Sequence, residues 1–316
     1  MNSKTAKVAI GLPVYNGERY LDKAIDSLLN QTFTDFELII SDNQSSDRTE
    51  QICLDYAASD KRIRFVRQEK NLGSTGNFNF VFQASNHEYF KWAAYDDICS
   101  PTFLEKCVKL LDENPDVVWC HSRSIHIDVE GKPLPNESSA GFGYIFPGQP
   151  HRGSDRASTR FSSIVLGGSS MMDSYGLYRS ETLLKTGLYL PYFGSEKILL
   201  AELALHGRYA EVDEPLFYPR VHDAAAGALQ SASQQQAFCA PDVNGSFVRA
   251  KLLKGYVAAI ARAKVPFTER LRCYRALFGY LFQFRKWGKV LSSILFGVGL
   301  TDKHRRVRKE DAVTTH

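Results

Sequence analysis

The chain has 316 residues, with 39 Lys/Arg against 35 Asp/Glu and a net charge of +4. Its apolar, aromatic and charged fractions of 44%, 12% and 23% are those of a globular protein and exclude a disordered or fibrous chain. Six scattered cysteines, at 53, 99, 107, 120, 239 and 273, form no Cys-x-x-Cys pair, which argues against a zinc knot or redox motif and for reduced thiols in a cytoplasmic setting.

Residues 7–14 read as a first buried strand, Tyr15-Asn16-Gly17 as a turn, and Glu18 to Asn30 as a helix with apolar residues at Leu21, Ala24, Ile25, Leu28 and Leu29. Phe36 to Ser41 is a second strand that ends in Asp42-Asn43. Asp47 with Glu50 three residues on is a capping-box pattern for a helix to about Ala58. Residues 62–66 form a third strand, and Asn71 to Gly76 a loop into a helix through Ala84. The nearly apolar 88–94 segment stops abruptly at Asp96-Asp97. Ser100 and Pro101 then open a helix to about Glu113, and 117–121 is a further strand. This alternation predicts a parallel α/β sheet.

The texture changes to Gly, Pro, Ser and Asn over 129–157, as in a long functional loop. Helical spacing resumes over 158–206, and 210–218 reads as a short edge strand closing at Arg220-Val221-His222. Residues 223–245 read as a linker, and 247 onward as helical, basic and aromatic. The expected units are therefore 1–222 (a nucleotide half to 128 and an acceptor half beyond it), a linker over 223–246, and a basic amphipathic region over 247–316.

Ligands of parallel sheets bind outside the carboxyl ends of the strands. Those ends carry Tyr15 and Asn16, Asp42 and Asn43, and Asp96 and Asp97. Adjacent aspartates repel unless a cation or donor neutralises them, and hard divalent cations held by carboxylates and substrate phosphates are a common solution. A flat ring, an N–H acceptor and a metal-binding pair together suit a nucleoside diphosphate. Taken singly, each residue also fits packing, an Asx-turn or a helix entry.

The blocks Val8 to Asn16, Leu28 to Phe33, Phe36 to Asp42 and the Asp96-Asp97 pair resemble the family 2 glycosyltransferases with the GT-A fold, over roughly residues 6–222. The resemblance implies a Rossmann-like, mostly parallel sheet flanked by helices. It implies that Tyr15 stacks on the base, Asp42 binds its N3–H, Asp96 lies near the ribose, and Asp97 coordinates Mn²⁺ or Mg²⁺ on the diphosphate. Pro13 and the Asn71-Leu72-Gly73 loop match further nucleotide-contacting positions. Tyr95 stands where many relatives carry an acidic residue, so the metal motif here is Asp-Asp.

Departure of a nucleoside diphosphate needs its charge stabilised, and the attacking hydroxyl needs a general base. The resemblance implies a single inverting displacement, with Glu196 of Ser195-Glu196-Lys197-Ile198-Leu199 in the base position. Ser195 as an N-cap with Glu196 against the helix dipole is the plain structural alternative; Glu202 is the fallback base. Arg220 and His222 follow the last strand and have the diphosphate or the metal within reach. Met171 to Arg179 either lines the acceptor side or packs in the core.

From Phe247 onward there are 16 Lys/Arg and 4 Asp/Glu, leaving 23 of the 39 basic and 31 of the 35 acidic residues in the first 246. A basic, aromatic tail on an acidic body suggests an anionic membrane surface, with a packed helical appendage as the alternative and nucleic acid, for His304 to Lys309, without a supporting motif. The N-terminus leads straight into Val8 to Leu12, leaving no signal h-region, and no apolar run approaches the ~20 residues of a membrane span. The expectation is a cytoplasmic, peripheral-membrane glycosyltransferase moving a sugar from a UDP- or dTDP-sugar to a carbohydrate or lipid-linked acceptor in surface-polysaccharide assembly. Nucleotidyl transfer, or a non-catalytic sugar-nucleotide-binding scaffold, are the rival readings.

Overall fold

A computed structural model describes residues 6–134, 152–167, 171–225, 228–229, 231–241 and 248–282. All seven residues of β1 (Val8–Val14) are buried, because the strand is paired in parallel on both sides, with β2 (Phe36–Asp42) and β4 (Tyr89–Trp92). Between β1 and β2, α1 (Leu21–Leu29) buries Leu21, Ala24, Ile25 and Leu28, the stripe its spacing predicts. Then come α2 (Thr49–Ser59), β3 (Ile63–Arg67) and α3 (Gly73–Gln83). Gly11 lets α3 lie close to β1, since a Cβ there would fall 2.6 Å from the Val81 side chain.

After β4 come β5 (Ile98–Cys99), α4 (Phe103–Glu113), β6 (Val117–Ser124), α5 (Ala157–Gly167) and a 3₁₀ turn (Met171–Tyr175). The chain continues through β7 (Leu177–Arg179), α6 (Ser180–Leu183), α7 (Glu196–His206), β8 (Arg208–Tyr218), α8 (Ala232–Cys239), α9 (Val248–Arg262) and α10 (Phe267–Leu281). The eight strands form one sheet in the order β3-β2-β1-β4-β7-β6-β8-β5, in which β5 and β7 run against the rest. The fold class is the expected one, a mostly parallel sheet flanked by helices with a helical C-terminal region.

Period-two alternation sorts β1, β2 and β4 between two cores. Ala9, Phe90 and Trp92 face the core built with α5, α7, α9 and α10, whereas Val8, Ile10, Leu12 and Tyr89 face the one closed by α1 and α4.

Several local expectations are corrected. Asp47 does not build a capping box: its Oδ1 accepts from Thr49 N–H at 3.0 Å, but Glu50 turns to Arg67 at 2.6 Å. Ser100 does not cap α4, whose N-cap is Thr102; its carbonyl accepts from Phe103 N–H instead. The 210–218 strand starts at Arg208 and is internal, held between β6 and β5. The 223–246 segment, expected as a linker, carries α8, whose capping box (Ser231 with Gln234) and Gln236 bond to Pro191 O at 3.0 Å fix it beside α3.

The basic region is also more than a free tail. Tyr256, Ala259, Ile260, Cys273, Ala276, Leu277 and Tyr280 bury an inner face of α9 and α10 against α5 and α7. Glu202, the fallback base, has this structural use: Arg262 Nε and Nη2 donate to its two oxygens at 2.8 Å each, and Gly187 N–H donates at 3.1 Å. Glu269 of α10 accepts from Ser158 N–H at 2.8 Å, satisfying a free donor at the start of α5. Most of the expected 129–157 loop, and residues 283–316 with His304 to Lys309, lie outside the described residues. Among the described residues no helix is long and apolar enough to cross a membrane.

Candidate active site

Six strands point the same way, so their carboxyl ends gather on one edge and surround a cleft of about 440 Å³. Pro13, Tyr15, Asn43, Asn71, Asp96, Asp97, Arg220 and His222 all line it. The β1 and β2 exits are stitched together: Asn16 N–H donates to Ser45 Oγ at 2.8 Å, Ser46 N–H to Asn16 Oδ1 at 2.9 Å, and Gly17 N–H to Thr49 Oγ1 at 2.8 Å. Asn16 takes φ +50, a left-handed conformation asparagine tolerates well. This turn leaves the Tyr15 ring 44% exposed at the cleft wall, available for stacking.

Asp42 is placed differently from expectation. It is fully buried and does not line the cleft; its Oδ1 accepts from Ser45 N–H at 2.9 Å and its Oδ2 from Arg67 Nη1 at 3.0 Å. The bond to Ser45 spans three residues, one more than an Asx-turn, so Asp42 holds the turn in another way, and its neighbour Asn43 reaches the cleft. Asn43 Nδ2 donates to Asn71 Oδ1 at 2.9 Å, and Asn43 Oδ1 accepts from Leu72 N–H at 2.8 Å, which shapes the loop entering α3. Gly73 lies behind that loop at φ +70, and a Cβ there would meet the Cys239 carbonyl at 2.5 Å. It is where α3 and α8 touch, and it does not line the cleft.

The acidic pair sits at the centre. Arg220 N–H donates to Asp97 Oδ1 at 2.8 Å, Arg220 Nε to the Asp96 carbonyl at 2.9 Å, and Arg220 Nη1 to the Asp128 and Val129 carbonyls. Burial, and then the adjacent Asp96 carboxylate, hold Asp97 well above the usual carboxylate range. His222 Nε2 lies 2.9 Å from Asp96 Oδ2, with its ring tilted against Tyr20 at 4.9 Å. Two buried nitrogens here have no partner, His222 Nδ1 and Arg220 Nη2. Among the described residues no three His, Cys, Asp or Glu side chains are gathered to hold a metal by themselves.

Glu196 begins α7 and is buried, and burial holds its carboxyl above the ordinary range. Ser195 stands at the N-cap of α7 and Glu196 in its first turn, as the structural alternative has it, although the Ser195 side chain makes no cap bond. Glu196 does not line the cleft, but its charge reaches the Tyr175 hydroxyl in the cleft wall and the Cys239 thiol beside Phe238.

The sequence reading missed three contributions. Lys91 is fully buried under the acidic pair, with Nζ donating to the carbonyls of Trp92 and Tyr175 and lying 4.3 Å from the Phe103 ring centre. Its charge favours the ionised form of Asp97. The signal was one cation in an otherwise apolar strand. Ala237, Phe238 and Pro241 close the cleft from the supposed linker, and no local pattern announces that. His126, just past β6, also lines it; Met172 does too, from the 171–179 stretch assigned to either acceptor side or core.

The sequence model of glycosyl transferase family 2 matches residues 9–174, more than half of the chain. The chain belongs to glycosyl transferase family 2. Curated members related to it include an uncharacterized glycosyltransferase of Rickettsia typhi, 37% identical over 38% of this chain, and one of Methanocaldococcus jannaschii, 35% identical over 40%. Those matches span 37% and 44% of the relatives' own lengths. Chondroitin synthase of Escherichia coli is 31% identical over 44% of this chain and 19% of its own.

Among solved structures, Staphylococcus aureus TarS in complex with UDP superposes with a TM-score of 0.62 at 16% identity, covering 93% of this chain and 76% of that one. A Pyrobaculum calidifontis mannosyltransferase, in complex with GDP-Man and Mn²⁺, gives 0.52 at 14% identity, covering 90% and 84%. At these identities the two structures establish that this family member shares their fold.

Proposed function

We infer that the protein is an inverting glycosyltransferase that moves a sugar from a UDP- or dTDP-sugar to a carbohydrate acceptor with the help of Mn²⁺ or Mg²⁺. One observation carries the reading: an exposed Tyr15 ring and the Asp96-Asp97 pair share a cleft at the carboxyl edge of the sheet. UDP bound to TarS and Mn²⁺ with GDP-Man in the mannosyltransferase support the donor class and the cation.

The residues present fit a divalent cation. Asp97 is a half-buried carboxylate beside a second one, and His222 Nε2 lies 2.9 Å from Asp96 Oδ2. Asp97 and Asp96 are the groups that would hold it together with the substrate's phosphates, with His222 hydrogen-bonded to Asp96. Such an ion supplies Lewis-acid stabilisation of the departing diphosphate.

The chain's own residues do the positioning. Tyr15 offers its face to the nucleobase, while Pro13, Asn43 and Asn71 form the adjoining wall. Asp42 is fully buried off the cleft with both oxygens bonded, so in this reading its first task is to hold the turn that presents Asn43. The spare Arg220 Nη2 donates to a phosphate oxygen. Glu196 takes the proton from the acceptor hydroxyl as that oxygen attacks the anomeric carbon, and a raised carboxyl pKa suits a base working near neutrality. The relative named chondroitin synthase supports placing the acceptor in polysaccharide assembly. Six free, buried thiols support a reducing, cytoplasmic setting.

A second reading, sugar-nucleotide binding without transfer, draws on Glu196 lying off the cleft surface. Calorimetric titration of UDP and dTDP, each with and without Mn²⁺, followed by donor hydrolysis assays, separates the two. Metal-dependent binding with turnover supports the transferase, and binding without turnover supports the second reading. Binding of neither nucleotide would overturn both.

A further inference from the structure

The inner face of α10 is spent on the core, but its outer face is not an ordinary solvated one. Phe267, Leu271, Phe278 and Phe282, the last at its C-cap, are 70%, 52%, 63% and 63% exposed. At about 100° per residue these four fall within an arc of roughly 60°. The buried Cys273, Ala276, Leu277 and Tyr280 lie on the opposite side. Single exposed apolar residues are normal, whereas an aligned row of three phenylalanines and a leucine marks a binding face.

Charge identifies what covers it. The exposed Arg272 and Arg275 lie beside the row, against Glu269 as the one acidic residue of the same helix. Glu269 is already engaged by Ser158 and Arg272, while Arg275 is exposed and has no ion pair among the described residues. Past Phe282 the sequence continues for 34 residues with eight Lys/Arg and three Asp/Glu. Two copies meeting through this face would oppose like charges, and so would the basic tail folding back on it. An anionic surface satisfies the apolar row and the arginines at once.

We propose that the outer face of α10 seats the protein on an anionic lipid bilayer, with Phe267, Leu271, Phe278 and Phe282 entering the headgroup boundary and the flanking arginines meeting lipid phosphates. This goes beyond glycosyl transfer and does not depend on it. The inner face keeps α10 fixed to α5 and α9, so the lipid-facing row is rigidly coupled to the catalytic body.

The test is co-sedimentation of the full chain with phosphatidylcholine vesicles, with and without one-third phosphatidylglycerol. Wild type is expected to partition onto the anionic vesicles and to be released by salt. Phe267→Ser, Leu271→Ser and Phe278→Ser combined should weaken partitioning at least about ten-fold, with nucleotide binding unchanged. Phe278→Ser alone should give a smaller loss, and keeps the test readable if the triple variant is unstable. Arg272→Gln with Arg275→Gln should weaken binding and flatten its salt dependence. Partitioning that the serine variants leave unchanged would overturn the proposal, because the tail alone would then be the anchor. Equal binding to neutral vesicles would overturn it as well. So would a dimer, seen by sedimentation velocity without lipid, that the triple variant abolishes, since the face would then belong to a second copy.

Discussion

The Arg220 backbone N–H donates to Asp97 Oδ1 at 2.8 Å, across 123 residues of sequence. This bond ties the acidic turn after β4 to the exit of β8, so the two halves of the chain meet on one carboxylate. The other oxygen of Asp97 is left for a ligand, and the Arg220 guanidinium is clamped over the Tyr20 ring at 4.7 Å.

Asp97→Asn is therefore expected to keep the fold, because the amide oxygen still accepts from Arg220, while losing a metal ligand. Nucleotide affinity in the presence of Mn²⁺ should fall by roughly 10–100-fold, with metal-free affinity little changed. Calorimetry on both proteins checks this, and undiminished metal-dependent affinity would remove Asp97 from the site.

Glu196→Gln should leave nucleotide affinity intact and lower turnover by about 10²–10⁴-fold, the range for loss of a general base. In wild type, the acid limb of the pH–rate profile should lie above 4.5, since burial raises this carboxyl. Stability carries the same signature. The fold favours the protonated form, so wild type loses stability as pH rises from 4.5 through the raised value. Glutamine cannot ionise, so the variant should gain in Tm relative to wild type over that rise. Parallel Tm profiles would contradict a buried, destabilised carboxylate.

Removing Arg262 tests the junction of α7 and α9. Glu202 is buried and its partners are the Arg262 fork and one backbone N–H, so Arg262→Ala strands a charge. Because Arg262 itself is partly exposed, a loss of about 2–3 kcal/mol is expected, toward the low end for a broken buried pair. Arg262→Ala with Glu202→Leu should recover most of it in urea unfolding. Failure of the double variant to recover would mean that the strut is not where the loss arises.

Glu269 links α10 to α5. Burial works to raise its carboxyl, but the Ser158 backbone and hydroxyl groups and Arg272 outweigh it and bring the pKa down to about 2. Its contribution is thus fully present above 4.5 and is lost as pH falls toward about 2. Glu269→Ala should cost about 1 kcal/mol at neutral pH, as for a lost helix cap, and less in acid. A cost that does not shrink at low pH would show that packing, not charge, joins the helices.

What the sequence determined by itself was the sheet's parallel part and the chemistry at its edge. Buried runs such as Val8–Val14 and Phe36–Asp42 have one stable home, between parallel neighbours, and the polar residues where such runs stop must lie at the carboxyl edge. Tyr15, Asn43 and Asp97 follow from that rule. Tertiary structure decided what depends on partners far along the chain. Whether Asp42 faces the cleft turns on Arg67 and Ser45, and whether 223–246 is a tether or a wall turns on Gly73 admitting α8 against α3. Lys91 looked like a flaw in an apolar strand until the Tyr175 carbonyl and the Phe103 ring gave its charge a place. The role of the basic helices was split in the same way. Their inner faces found α5 and α7, and the Phe267-to-Phe282 row became visible only once that packing showed which side was left over. Local patterns specify a residue's chemistry and its period, whereas burial, the strongest influence on both charge and exposure, is a property of the assembled chain.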